Sequence, residues 1–359
     1  GNSYPAISSI LQLLIDKNKE NSKLFLILCG SSLSFMEEQV LGYQSPLYGR
    51  RTSQYKIKPF SFFETCDYYK TFSYEEKALI YGLTSGIPLY LSLFREDKSL
   101  KQNIIDIFLS SNGYLFEEPT NLIKQECRDP STYNSIIQAI ALGATKLSEI
   151  SNQVGIETGL CTTYIKKLIS LGIIIKHTPI YKPSKKQTIY LLADHMFQFW
   201  YKFVLPNISL INMGMGDRVY KKIEPHFYEF MGYIFEDICK QYLWLLNIHE
   251  ELPLFFLKLG RWWGNDTRIK AEAEIDIVAY NDENQILIGE CKWRNEDTDK
   301  KVLDKTIFRS ELFSFLNKYI YLFSKSRFSS YCLEYAKNNP SVHLITFEDI
   351  IKAYELNKS

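Results

Sequence analysis

The chain has 359 residues, 46% of them hydrophobic, enough for a globular protein of two or three domains with buried cores. Its 42 basic and 41 acidic side chains leave a formal net charge of +1, so affinity for nucleic acid has to come from a local patch and not from a whole-protein field. Seven scattered cysteines without a CxxC pair predict a reduced, cytoplasmic setting, and the absence of a signal peptide or a bilayer-length apolar run argues against secretion and a membrane span.

An amphipathic helix (Ile7, Ile10, Leu11, Leu14) opens the chain, and the run Leu24 to Cys29 reads as a buried strand ending at Gly30-Ser31-Ser32, where hydroxyls suit phosphate sensing. Ser45-Pro46-Leu47-Tyr48-Gly49-Arg50-Arg51-Thr52, Ile57-Lys58-Pro59-Phe60 and Ser85-Gly86-Ile87-Pro88 follow. These segments resemble the later part of an AAA+/STAND-type ATPase of the archaeal and prokaryotic ATPase family, whose members often carry a winged helix and then a PD-(D/E)XK-like domain. The resemblance implies a partial P-loop NTPase core over 1–64 and a helical lid over 65–130. It also implies that Ser31 and Ser32 stand at the sensor-1 strand end, that Arg50 faces nucleotide, and that Gly86 and Pro88 form the GxP element near the adenine. Purely structural alternatives are helix capping by Ser31 and Ser32, a surface turn at Arg50 and a helix break at Gly86-Ile87-Pro88.

A working ATPase needs a Gly-rich loop with its Lys and an acidic strand end for Mg²⁺. No G-x-x-x-x-G-K-[ST] motif occurs, and the chain begins at Gly1-Asn2-Ser3, where such a protein has just passed its Walker B strand. The expectation is a piece of a longer ATP-binding protein, unable to hydrolyse ATP without the missing N-terminal P-loop segment. Exposed edges of an incomplete sheet would favour self-association.

Between 131 and 206 the pattern changes. Helices at Lys146 to Val154 and Glu157 to Leu171, joined at Gly155, have helix-turn-helix spacing, and strands Ile173 to Ile180 and Thr188 to Ala193 follow. This resembles a winged helix-turn-helix domain. Over 146–187, seven lysines face only Glu149 and Glu157, a local net charge of +5. Thr162, Thr163 and Lys166 are candidates for groove contacts, and Lys182, Lys185 and Lys186 for backbone contacts with DNA. Connector or protein-binding roles are the alternative for such a domain. The aromatic run Phe197 to Phe203 reads as core packing, and Asn207 to Asp217, with Gly214 and Gly216, reads as a linker.

The last 140 or so residues, 218–359, carry the chemistry. Helix 225–247, strands Leu252 to Trp262, Glu272 to Tyr280 and Ile286 to Trp293, a helix from Lys300 to Leu316 and a strand at Tyr319 to Phe323 give an αβββαβ order. The turn Asn281-Asp282-Glu283-Asn284, centred on residue 283, sets Asp276 across from Glu290 and Glu274 across from Lys292, so that all four converge. Two carboxylates about 4 to 5 Å apart repel by about 4 kcal/mol at an effective dielectric near 20. A divalent cation reverses that sign, and oxygen-only ligands suit Mg²⁺ or Mn²⁺. The arrangement resembles the PD-(D/E)XK, restriction-endonuclease-like core, with Asp276 as its aspartate and Glu290-Cys291-Lys292 as its (D/E)XK element. The family often adds an acid on the first helix, which points to Glu236. Periodicity of Phe227, Phe230, Met231, Ile234, Ile238 and Leu245 instead places Glu236 on a solvated face with Glu229 and Lys240. The leading expectation is a DNA-binding chain with a metal-dependent nuclease-like domain. The alternatives are a nucleotide-switched regulator whose nuclease-like domain lacks chemistry and a purely structural scaffold.

Overall fold

The computed structural model describes residues 6–19, 22–30, 36 and 40–358. Helix α1 (Ile7–Asn18) is followed by a segment that departs from expectation. Leu24 to Cys29 forms no strand, and Phe25 and Ile27 are 83% and 72% exposed. A buried strand needs neighbours for its backbone groups and both side-chain faces, and no strand lies beside it among the described residues. Ser31 and Ser32 fall outside the described residues.

The helical part starts at α2 (Phe62–Tyr68) and α3 (Tyr74–Thr84), each opened by a capping box, Ser61 with Glu64 and Ser73 with Glu76. Gly86, at φ +70°, then turns the chain so closely under Phe60 that the Phe60 amide donates to its carbonyl at 2.8 Å, and Pro88 begins the short helix Pro88–Leu91. Thus Gly86 and Pro88 serve a tight backbone crossing. Further helices are α4 (Leu100–Phe108), α5 (Glu118–Glu126) and α6 (Pro130–Ala141).

Next come α7 (Leu147–Val154), Gly155 in the left-handed region, α8 (Thr158–Ser170), and the antiparallel pair β1 (Ile174–His177) and β2 (Ile189–Leu192). The hairpin is shorter than expected because residues 178–187 leave it to dock elsewhere. Ile180 N–H donates to the Arg261 carbonyl at 3.0 Å. Gln187 and Trp263 exchange two bonds at 3.0 and 2.9 Å, and the Tyr181 ring meets Tyr280, Phe313 and Phe315 at 5.4 to 5.5 Å.

Phe197, Phe199, Trp200, Tyr201 and Phe203 are buried as core, with α9 (His195–Phe199) leading into the run. The expected linker is helical instead. Ile208–Asn212 and α10 (Gly216–Ile223) bury Ile211, Val219 and Tyr220, and Gly216 lies so close to the Leu109 carbonyl that an added Cβ would stand 2.3 Å from it.

The C-terminal part begins with α11 (Phe227–Ile248) and continues through β3 (Leu259–Asp266), β4 (Ala271–Tyr280), β5 (Gln285–Lys292), α12 (Lys300–Ser310), β6 (Asn317–Ser324), α13 (Ser330–Asn338), β7 (Val342–Thr346) and α14 (Phe347–Asn357). The sheet order is β3-β4-β5-β6-β7, antiparallel across the first two junctions and parallel across the last two. This mixed five-stranded sheet has the expected element order. Strand β3 starts later than expected because the Asn247 amide holds both backbone polar groups of buried Phe256 at 3.0 Å and fixes the intervening chain as a loop.

One apolar core runs from Phe62 to Ile351 and joins helical part to sheet. Phe62 meets Phe347 at 5.9 Å, Phe63 stacks on Tyr354 at 4.5 Å, and Tyr81 donates to Asp237 at 2.7 Å. Among the described residues, no helix is long and apolar enough to cross a membrane. An alanine Cβ at Gly86 would stand 1.9 Å from the Phe60 carbonyl oxygen, at a φ that side chains rarely adopt. Gly86→Ala is therefore expected to destabilise by about 2 kcal/mol or more, read as a lowered thermal midpoint; an unchanged midpoint would refute the crossing.

Candidate functional site

The β4–β5 hairpin has the register set by its turn. Asn281 Oδ1 accepts from the amides of Glu283 and Gln285, and pairing runs from Tyr280 opposite Ile286 to Ile277 opposite Gly289. One step further the ladder stops, at the level of Asp276 and Glu290. The Asp276 carboxylate takes over there and accepts from the Cys291 amide at 2.9 Å. Glu290 is held between β4 and β6, pairs in register with Leu322, and is only 5% exposed.

The expected convergence of four groups is corrected to three. Between Gly260–Val278 and Trp262–Ile275 the β3–β4 register shifts, so Asp276 and Ile277 together oppose Arg261. Such a bulge breaks the alternation along β4 and re-aims one side chain. Asp276 turns toward Glu290, while Glu274 stays exposed in an ion pair with Arg261. Lys292 is bonded to Glu290 Oε1 at 2.7 Å, and Arg309 Nη1 stands 3.8 Å from Oε2.

Glu236 is the second correction. It is buried, ion-paired to Lys240 and 3.3 Å from Arg261 Nε. The reading from one apolar stripe fails because α11 is covered on more than one side, by α3 as well as by the sheet. On that second side Asp237 and Gln241 bond to Tyr81. Glu229 bonds instead to Lys202, at 2.9 Å.

Burial pushes the Glu236 carboxyl above the usual carboxylate range; Lys240 and Arg261 pull against it and Asp276 adds to it. Burial likewise pushes Glu290 up, reinforced by the charge of Asp276 and opposed by Lys292 and Arg309. Burial works against the Lys292 ammonium, yet Glu290 and Asp276 outweigh it and raise its pKa. The two shifts agree physically: Lys292 sees two carboxylates, whereas Glu290 has another anion beside it. Beneath the site, burial pushes the Cys239 and Cys291 thiols up, and the two free thiols share a hydrogen bond.

A cavity of about 380 Å³ opens beside Glu290 and Lys292, lined also by Arg294, Asp299, Lys301, Val302 and Lys305. Arg261, Arg309 and Arg294 were not expected from sequence. Lys301 and Lys305, one helical turn apart just after the Glu-Cys-Lys strand, carry a legible signal; Arg261 depends on the bulge and does not. Among the described residues no three His, Cys, Asp or Glu side chains group to hold a metal ion. Asp276 and Glu290 fit the one or two carboxylates by which Mg²⁺ is usually held, with water and phosphate completing its shell.

The other expected residues lie elsewhere. Arg50 forms a two-point ion pair with Asp16, at 2.8 and 2.9 Å, and donates to the Pro46 carbonyl, a turn-bracing role. On α8, Thr163 and Lys166 are exposed, and half-buried Thr162 bonds back to the Thr158 carbonyl at 2.9 Å. Lys182 and Lys186 are exposed on the docked segment, and Lys185 begins the short turn Lys185–Gln187.

The raised Glu236 carboxyl has a stability consequence. Its contribution is fully present below the unfolded value near 4.5 and is lost as pH rises through the higher folded value. Glu236→Gln puts a non-titrating neutral group beside Lys240 and Arg261 at every pH, so the offset by which wild type exceeds it is expected to shrink from acid to neutral pH. Thermal midpoints of both proteins across that range check this; a growing offset would refute it.

Residues 200–303 match DUF234, a family described as archaeal and bacterial proteins of unknown function. That stretch carries Glu236, Asp276, Glu290 and Lys292. Over 324 residues, 88% of this chain and 70% of the relative's length, the chain is 36% identical to the uncharacterized protein MJECL04 of Methanocaldococcus jannaschii. No solved structure matches. The chain thus belongs to the family of this archaeal protein and carries a DUF234 domain.

Proposed function

We propose that the C-terminal sheet domain is a metal-dependent DNA phosphodiesterase on a PD-(D/E)XK-like plan, in a DNA-binding chain that is part of a longer ATP-binding protein. The observation that carries it is Glu290, a buried acid set beside Asp276 and Lys292 at the mouth of a cation-lined cavity. Asp276 and Glu290 would hold Mg²⁺ or Mn²⁺, which when bound polarises a phosphoryl oxygen and lowers the pKa of water. Lys292, kept charged by its two carboxylates, is placed to donate to negative charge developing on phosphate. Glu236 acts as a positioning residue, since it reaches the site through Arg261 and the charge of Asp276.

The three helices α6 to α8 and the β1–β2 hairpin support a winged-helix reading, with Thr163, Lys166, Lys182 and Lys186 open to a DNA partner. The nucleotide part rests on the sequence resemblance, and the Asp16 partner of Arg50 argues for a turn-bracing role at that residue in this chain.

One observation favours a second reading, a nucleotide-switched regulatory or scaffold module with an inactive nuclease-like domain. Each buried acid already has internal cations, Lys292 and Arg309 for Glu290, Lys240 and Arg261 for Glu236. Such a network stands without metal.

Cleavage of supercoiled plasmid and single-stranded DNA in Mg²⁺ or Mn²⁺ separates the two. The phosphodiesterase reading expects cutting that falls by about 10²-fold or more in Asp276→Ala and Lys292→Ala. It also expects a metal-dependent rise in thermal midpoint that Asp276→Ala abolishes. A chain that neither cuts nor shifts with metal is the outcome of the second reading.

A further inference from the structure

We infer that the cavity between the end of β5 and the first turns of α12 is a binding site for the sugar-phosphate backbone of a DNA strand, holding a phosphate next to the one that Glu290 and Lys292 face. Its walls are Lys292, Arg294, Lys301 and Lys305 against Glu290 and Asp299. In a chain whose formal net charge is +1, this is a local concentration of positive charge. Glu290 is already taken up by Lys292, which leaves Asp299 facing three cations.

Asp299 is itself occupied. It caps α12 by accepting from the Val302 amide at 3.3 Å, and its nearest cation, Arg294 Nη2, stands at 3.8 Å. Arg294 is therefore incompletely satisfied: Nη2 reaches the Asp297 carbonyl only at 3.5 Å, and Nε has no hydrogen-bond partner among the described residues. The guanidinium therefore keeps donor capacity at its outer nitrogens, which an anionic oxygen in the cavity would take up in a charge-assisted bond. Lys301 and Lys305 are both exposed, and among the described residues neither forms an ion pair, although Lys318, Lys325 and Lys352 elsewhere in this domain all do.

The spacing selects a strand over a small anion. Lys301 and Lys305 are neighbours at i, i+4 on one helix face, about 5–6 Å apart at their Cβ atoms. With Lys292 and Arg294 they set four cations around one cavity of about 380 Å³, more positive charge than a single phosphate neutralises. Among the described residues no aromatic ring lines the cavity, so these walls offer no stacking platform for a base. Such a lining reads backbone and not sequence. The inference rests on the phosphodiesterase reading only for which phosphate reacts; the binding itself requires no metal.

The test is fluorescence anisotropy of a labelled oligodeoxynucleotide in EDTA, across a salt series, with the full chain. One variant combines Arg294→Gln, Lys301→Gln and Lys305→Gln. A second combines Lys166→Gln, Lys182→Gln and Lys186→Gln, and a third is Asp276→Asn. The cavity variant is expected to keep the wild-type thermal midpoint and to lose about tenfold or more in affinity at low salt. The slope of log K against log salt should fall by about 2, at about 0.7 to 0.9 for each phosphate contact removed. Asp276→Asn should bind at least as tightly as wild type. Unchanged affinity and slope in the cavity variant, or a loss confined to the helix and hairpin variant, overturns the proposal. Displacement of the oligonucleotide by inorganic phosphate at equal phosphate concentration overturns the strand as ligand. If no form cuts DNA while the cavity variant still loses binding, the phosphodiesterase reading falls and the backbone site stands.

Discussion

An ionised carboxylate taken out of water costs several kcal/mol unless cations and donors surround it. Glu290 imposes that requirement on the sheet. It is buried because β5 is the central strand, with β4 on one side and β6 on the other. Everything that approaches it is set by this constraint: Lys292 two residues on, Arg309 from α12, and Asp276 from the bulged part of β4. The cations lower the cost of the buried charge, while Asp276 raises it again. Asp276 is held there by the Cys291 amide and by its attraction to Lys292 and Arg261, so the site keeps two carboxylates side by side although the second works against the first.

Arg261 links this constraint to the rest of the chain. Its backbone carbonyl accepts from Ile180 of the docked hairpin segment, and its guanidinium lies between Glu236 and Glu274. The same residue opposes the bulge that turns Asp276. The helical part is thereby tied to the sheet by more than the shared apolar core. A displacement of residues 180–187 would act first on β3 and then on the acids it supports, so these parts are mechanically continuous.

The hairpin was legible because its turn chemistry and two apolar strands specify one register, and Asp276, Glu290 and Lys292 followed from that register. The order of helices and strands in the C-terminal part, and the two helices joined at Gly155 with a short hairpin after them, followed from periodicity and that glycine. Three features were not legible for physical reasons. The bulge at Asp276 and Ile277 separates Glu274 from the site, and strict alternation has no means to show it. Glu236 is buried because α11 packs against α3 as well as the sheet, a tertiary fact that a single apolar stripe understates. The run Leu24 to Cys29 has strand composition, but pairing depends on neighbours and not on composition.

These errors share a direction. Each came from reading a residue from its own element, and each was decided by whether and how a second element lies beside it. Charged residues on a doubly packed helix are therefore better candidates for a site than apolar periodicity suggests, because burial there has to be matched by specific cations. Glu236 meets Lys240 and Arg261, and Asp237 meets Tyr81 and Gln241, whereas Glu229 on the same helix remains at the surface with Lys202. Where α11 passes between α3 and the sheet its acids are organised by partners, and that stretch of the helix is the one that reaches Asp276.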